Sequence, residues 1–415
     1  MAKILITSVG TGEIKKDSDG EYKKTVYRID GEEHEGTYIA DILIKLKQID
    51  NVIFIGTNKS AWDNLYLIFA EDDVEDEIYD KTHMQKLSTA GVEIDMLQHY
   101  LRNVISKNRN ADSHYFILDY ENKDTHNETW NNLQKLFEIR NLIKDGDEVY
   151  LDITHGFRYM PILNIFLLQF LSIYNNYNFL IKGVYYGMLS DEISEVIDFK
   201  IFFDLLKWAN AINIFKRHLN ADSLIGIMSE NGVDSEIVKV FTQINNNLHI
   251  ANLASLWQFF KNAKSKIEKI KAADNRLLSL LSDDVIGLVG RLNKTELSSF
   301  QYEISKWFCE NNQYALSYLA LHEAIVTKAC ELKYPDESSE DEELRRKVKM
   351  ENIDYPYDKL FLEKRLSKRP NLDSITSIRN SIAHQLNDRK DKVNQDIERL
   401  KHFIREFQPY FEVAL

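Results

Sequence analysis

Only two cysteines, Cys309 and Cys330, occur in 415 residues. They cannot build a disulfide framework, so a reduced, cytoplasmic setting is expected, with both thiols packed in a core. No C-x-x-C pair, no cluster of histidines and no G-x-S-x-G elbow occurs, so neither a metal nor a redox cofactor is expected. Long apolar runs are missing as well. The longest candidates, Ile162–Leu171 and Val184–Leu189, fall short of the roughly 18–20 residues that cross a bilayer. No membrane partner is therefore expected. The chain starts Met1-Ala2-Lys3-Ile4-Leu5-Ile6-Thr7-Ser8, a strand-like run without the pattern of a signal peptide. Positive charge is also in deficit: 52 Lys and Arg face 65 Asp and Glu, a net charge of −13. That argues against nonspecific coating of nucleic acid, so any RNA contact must be local.

Local positive charge does exist, in Arg345-Arg346-Lys347, Lys364-Arg365, Lys368-Arg369 and Arg389-Lys390. Such clusters are usually solvated surface, and they permit RNA binding without requiring it. Hydrophobic residues make up 44% of the chain, enough to fill real cores, and the length calls for two or more domains.

Over residues 1–200, short apolar strand-like runs alternate with helical ones. The runs at Lys3–Ser8, Asn51–Thr57, His114–Asp119 and Glu148–Thr154 read as strands, and Phe179–Gly187 and Glu195–Phe199 as closing strands. Asp19-Gly20 and Asp30-Gly31 bracket Tyr22–Ile29 and suggest a small hairpin insertion. Thr37–Lys47, Ser60–Phe69, Met84–Ser106 and Glu128–Ile143 read as helices. This alternation predicts a Rossmann-like α/β domain, mainly parallel with helices on both faces. Such sheets bind ligands at the carboxyl ends of their strands.

Two loops stand out at those ends. Ser8-Val9-Gly10-Thr11-Gly12 offers backbone amides that can approach a phosphate closely. It is no dinucleotide fingerprint, because Lys15 stands where the last glycine belongs, and no Gly-Lys-Ser/Thr follows for a P-loop. Thr154-His155-Gly156-Phe157-Arg158 offers a hydroxyl, an imidazole, a flexible backbone and a guanidinium, a mix suited to a polyanion that carries bases. Taken singly, either loop is equally well read as a glycine turn that caps a helix.

Residues 201–300 read as a helical connector, with Trp208, Phe215, Phe241, Trp257 and Phe260 as core rather than a base-stacking surface. Residues 301–415 remain helical. Here Ile375, Ile378, Ile382 and Leu386 form one stripe, with Asn371 or Asp373 as the cap. Asn380 and His384 share the face roughly opposite, and Arg379 lies at the stripe's edge. Imidazole can move a 2′-hydroxyl proton near neutral pH, and a guanidinium can stabilise charge on phosphorus. One Arg and one His on a helix are also compatible with a plain solvated face. His322-Glu323 does not open a zinc-protease helix, because Val326 replaces the second histidine.

Leu151–Leu163, with its Leu-Asp-Ile-Thr-His-Gly-Phe-Arg core, resembles the second ligand-binding motif of CARF domains from type III CRISPR systems, and Ile4–Gly12 resembles the first. Arg379-Asn380-x-x-x-His384 resembles the R-x4-H signature of HEPN ribonucleases, and Tyr314–Ile325 the first long helix of a HEPN bundle. The resemblance implies a CARF sensor at 1–200, a connector at 201–300 and an all-α HEPN bundle at 301–415. It implies a homodimer that cleaves single-stranded RNA without a metal when a cyclic oligoadenylate binds, cyclic tetra-adenylate ahead of cyclic hexa-adenylate. Arg379, Asn380 and His384 would carry the chemistry, and Ser8, Gly10, Thr11, Thr57, Asn58, Thr154, His155, Gly156 and Arg158 would contact the ligand. Some relatives also cleave their ligand slowly, but no general base is evident beside Thr11 and Thr154. The rival expectation is a non-catalytic ligand sensor, RNA-binding dimer or transcription regulator. A winged helix would need a basic recognition helix and a hairpin near the C-terminus, and neither is evident.

Overall fold

A computed structural model describes residues 1–12, 24–87, 94–119, 125–156, 159–174, 179–188, 190, 192–250, 252–261, 264–271, 276–350, 357–358, 363, 372–383 and 392–412. Phe157, Arg158, His384 and Leu386 lie outside the described residues, as do Asp19-Gly20, Asn371 and three of the four basic clusters. The chain divides into two compact units, Met1–Asp204 and Leu205–Leu415.

The described residues of the first unit form eight strands: β1 Lys3–Ser8, β2 Thr25–Ile29, β3 Glu32–Gly36, β4 Asn51–Thr57, β5 Asp112–Leu118, β6 Glu148–Asp152, β7 Leu180–Gly187 and β8 Ile193–Asp198. Their order is β3-β2-β8-β7-β6-β1-β4-β5. From β5 to β7 every pairing is parallel, and β8 turns back antiparallel to β7. The β2–β3 hairpin then adds to β8. Its turn is Asp30-Gly31, both at positive φ, the pair of residues that a tight hairpin favours. The hairpin thus straddles Asp30-Gly31 instead of ending there.

Central strands covered on both faces need apolar residues throughout, and β1 and β4 are buried almost end to end. One face packs Leu5, Val52 and Phe54 under helices α1 Ile39–Lys47, α2 Trp62–Ala70 and α4 Ile94–Arg109, with α3 Asp76–Leu87 beside them. The other packs Ile4, Ile6, Ile53, Ile55 and Leu151 under α5 Thr125–Phe137 and α6 Met160–Tyr174. Since β1 lies between β4 and β6, the chain leaves it first on one side and later returns on the other. The carboxyl ends of β1 and β6 are therefore where a crevice opens.

Among its described residues the second unit is helical and has no strand. Its helices are α7 Lys200–His218, α8 Asp222–Glu230, α9 Ser235–His249, α10 Leu253–Lys261, α11 Lys264–Lys271, α12 Arg276–Leu292, α13 Leu297–Glu310, α14 Tyr314–Lys333, α15 Glu342–Met350, α16 Leu372–Ala383 and α17 Val393–Glu412. One core gathers Trp208, Phe215, Phe241 and Phe260 with Trp307, and Trp257, expected in the core as well, is half-buried against its edge. The second surrounds α14 with Ile375 and Ile378 of α16 and Leu400, Phe403 and Phe407 of α17. Tyrosine hydroxyls cross between helices: Tyr302 donates to the Ile404 carbonyl at 2.7 Å and Tyr318 to that of Asp396 at 2.6 Å. No helix among the described residues is long and apolar enough to cross a membrane.

Candidate functional site

The loops after β1 and β6 meet. Gly10 sits so close to the second loop that a Cβ on it would lie 3.1 Å from the Gly156 amide nitrogen. Gly156 has φ +107°, a conformation open to glycine, and a Cβ there would lie 2.9 Å from that of Ser8. Two segments distant in sequence thus form one wall.

That wall borders a cavity of about 270 Å³, lined by Gly10, Thr11 and Gly12 after β1, by Thr154, His155 and Gly156 after β6, and by the first turns of α2. Thr25, Tyr27, Thr37 and Tyr38 close it from the hairpin and the start of α1. Among the described lining residues, no side chain but that of His155 is ionisable near neutral pH. The described lining offers an anion hydroxyls and amides.

The floor is a buried polar network. Asp152 accepts from Thr7 Oγ1 at 2.6 Å and from the Thr154 amide at 2.9 Å. The Tyr38 hydroxyl lies 2.8 Å from Thr7 Oγ1 and donates to the Ser8 carbonyl at 3.1 Å. Thr154 Oγ1 accepts from the Gly187 amide at 2.8 Å, which leaves its own O–H as a donor for a ligand. Above this floor the His155 ring packs on Tyr38, with centroids 5.1 Å apart, and its Nε2 lies 3.4 Å from the Tyr27 hydroxyl. Burial pushes the His155 imidazole below its ordinary range, against the pull of Asp152. Burial and then Asp152 push both Tyr27 and Tyr38 up, so both keep their protons.

Of the expected ligand contacts, Gly10, Thr11, Thr154, His155 and Gly156 line the cavity. Ser8 does not: it is buried, and its Oγ accepts from Asn164 Nδ2 at 2.7 Å. Thr57 is also buried, its amide bonded to Ser60 Oγ and its own Oγ1 to the Lys59 amide. Asn58 is not among the lining residues either. Ser8 and Thr57 end strands that are covered on both faces, so whichever way the pleat sends them their side chains meet a covering layer. Tyr27, Tyr38 and Asp152 were not singled out from the sequence. Asp152 stood inside the quoted motif, but nothing local marked the two tyrosines.

In the second unit Arg379 and Asn380 lie on α16, with Ile375 and Ile378 buried beneath them. Arg379 Nη1 donates to Asn380 Oδ1 at 3.0 Å. On its other side Nη2 lies 3.8 Å from Oε1 of Glu323 on α14. Glu323 is held in turn by Arg345, whose Nη2 is 2.5 Å from Oε2, and by His322 Nδ1 at 3.3 Å from Oε1. Arg345 also donates to Thr327 Oγ1 and the Ser339 carbonyl. It is therefore a structural anchor, not part of a solvated basic patch. No group of His, Cys, Asp and Glu suited to a metal occurs among the described residues.

An open, mostly parallel sheet with a pocket of facing glycine loops beyond β1 and β6 defines an α/β ligand-binding domain. Residues 4–189 match the family model for the CARF domain of the CRISPR system endoribonuclease Csx1, and residues 204–299 match that for the second domain of the CRISPR-associated protein MJ1674. Over residues 4–189 the chain is similar to a CARF domain, and over most of its length it is similar to a CRISPR-associated protein. MJ1674 of Methanocaldococcus jannaschii is 31% identical over 356 residues, 80% of this chain and 54% of that protein. The chain thus covers about half the length of that curated relative. A solved structure of Enterococcus italicus Csm6 bound to cyclic hexa-2′-fluoro-hexa-dAMP aligns over 100% of this chain and 95% of its own, with 14% identity and a TM-score of 0.41.

Proposed function

We propose that this chain is a metal-independent endoribonuclease of the HEPN type, switched on when a cyclic oligoadenylate fills the CARF pocket. The observation that carries the reading is the junction of Gly10–Gly12 with Thr154–Gly156 in the domain that matches the Csx1 CARF model. Hydroxyls of Thr11, Thr154 and Tyr27 suit ribose and phosphate oxygens, and a neutral imidazole suits an adenine edge.

Size favours a dimer. A cavity of about 270 Å³ lies just below the roughly 300–1,000 Å³ of typical small-molecule sites. It suits about one nucleotide, so a ring of four or six extends beyond it, and a second copy of the pocket across a two-fold axis would meet the ring's far side. Occupancy then favours whichever arrangement of the paired chains places the catalytic helices correctly.

In the reaction, His384 takes the 2′-hydroxyl proton or protonates the departing 5′ oxygen. The 2′ oxygen attacks phosphorus, the bond to the 5′ oxygen breaks, and a 2′,3′-cyclic phosphate forms. Arg379 neutralises the charge on the phosphoryl oxygens, and Asn380 orients the guanidinium it touches. The described part of the second unit has no strand, which weighs against a winged-helix regulator.

The test is fluorogenic single-stranded RNA with and without cyclic tetra-adenylate or cyclic hexa-adenylate. Ring-dependent cleavage that His384→Ala abolishes, with ring binding retained, is the expected result. Equal cleavage by that variant overturns the assignment. Arg158→Ala should weaken activation. Incubating the ring with His384→Ala protein measures any slow cleavage in the pocket itself.

A further inference from the structure

Resting on the reading of Arg379 as the group that meets the scissile phosphate, we propose that Glu323 is its positioning residue. In this assignment Arg345 and His322 act on Arg379 only through that carboxylate.

A guanidinium that must stabilise a transition state has to be held in one plane before substrate arrives. Arg379 lacks the usual hold at its base, because its Nε–H is buried and has no acceptor among the described residues. Its orientation therefore depends on the two terminal nitrogens. Asn380 takes Nη1, and Glu323 draws Nη2 from the opposite side. The side chain is 30% exposed, so outward N–H bonds of both terminal nitrogens remain for a phosphate.

A carboxylate beside a catalytic arginine would ordinarily compete with the substrate. Two features prevent this. The 3.8 Å separation of Nη2 from Oε1 lies beyond hydrogen-bond range, so the attraction orients without capturing. The carboxylate is also already compensated by a 2.5 Å charge-assisted bond from Arg345, itself tied to Thr327 and Ser339. Two guanidinium groups around one carboxylate leave net positive charge in a chain of −13, a local attraction for RNA. Burial by itself would raise Glu323. The His322 hydrogen bond and the charges of Arg345 and Lys349 overcome that and hold it at about 2, so it stays charged wherever the enzyme works.

The experiment compares Glu323→Gln, Glu323→Asp and Arg379→Ala in ring-activated RNA cleavage, with thermal unfolding as a check on the fold. Glu323→Gln should lower kcat about tenfold to a hundredfold, as expected for a misaimed guanidinium, with KM within about twofold. Glu323→Asp should recover part of that loss. Should Glu323→Gln fail to fold, Arg345→Lys keeps the carboxylate, loosens its anchor, and should show a smaller loss of kcat. Wild-type kcat in Glu323→Gln beside an inactive Arg379→Ala overturns the role of Glu323 and leaves the ribonuclease reading standing. Wild-type cleavage by Arg379→Ala overturns both.

Discussion

The backbones of Gly10 and Gly156 touch: a single added Cβ on Gly10 would reach to 3.1 Å from the Gly156 nitrogen. The parallel register of β1 and β6, which sets Thr7 beside Asp152, brings the two loops out of the sheet side by side. Any larger residue at either glycine would wedge the wall of the pocket open.

Gly156→Ala should therefore lose stability and ring affinity together. The residue has φ +107° and a Cβ there would meet Ser8 at 2.9 Å. Backbone strain of this kind costs about 1–3 kcal/mol. Urea unfolding and calorimetric titration with cyclic tetra-adenylate read the two effects, and wild-type values for both would mean that the loop relaxes freely.

Ser8→Ala separates a structural role from a ligand contact. Its Oγ is the acceptor for Asn164 Nδ2, and both residues are buried. Leaving that amide without its partner should cost about 1–3 kcal/mol. Unchanged stability with lost ring binding would return Ser8 to the ligand contacts.

His155 makes stability depend on pH on the acid side. Its imidazole titrates below the ordinary 6.5 in the folded chain, so below that pH the unfolded chain binds the extra proton first. Stability is then complete above about 6.5 and declines as the solution is acidified toward the folded value. His114, also pushed down by burial, adds to the same slope. Melting curves from neutral to mildly acid pH should be flatter for His155→Asn than for the parent, and identical slopes would place His155 in solvent.

Glu323 acts in a lower window and with the opposite charge. Its carboxyl falls from an ordinary 4.5 to about 2 in the fold. The stability it contributes is present above 4.5 and disappears as pH drops through 2. Glu323→Gln should be less stable than the parent at neutral pH, and that difference should shrink in acid. A gap that stays constant with pH would deny the carboxylate its ion pairs.

Much of the architecture was legible because it depends on local pattern. Buried parallel strands require runs such as Ile4-Leu5-Ile6, and the three-and-four spacing of Ile375 and Ile378 requires a helix with one buried face. The expected helix Met84–Ser106 begins in α3 and ends in α4, and residues 88–93 between them lie outside the described residues.

The order of the residues alone determined that two glycine loops follow two buried strands, and that an arginine and an asparagine ride on an isoleucine-backed helix. Only the tertiary structure decided which side chains reach the pocket. Ser8 and Thr57 turn inward, Tyr27 and Tyr38 arrive from an inserted hairpin and the next helix, and Arg345 is bound to Glu323 instead of facing solvent. The reason is physical: strand and helix periods are set by neighbours along the chain, whereas a side chain's partner is set by whichever distant segment the packing brings within a few ångströms.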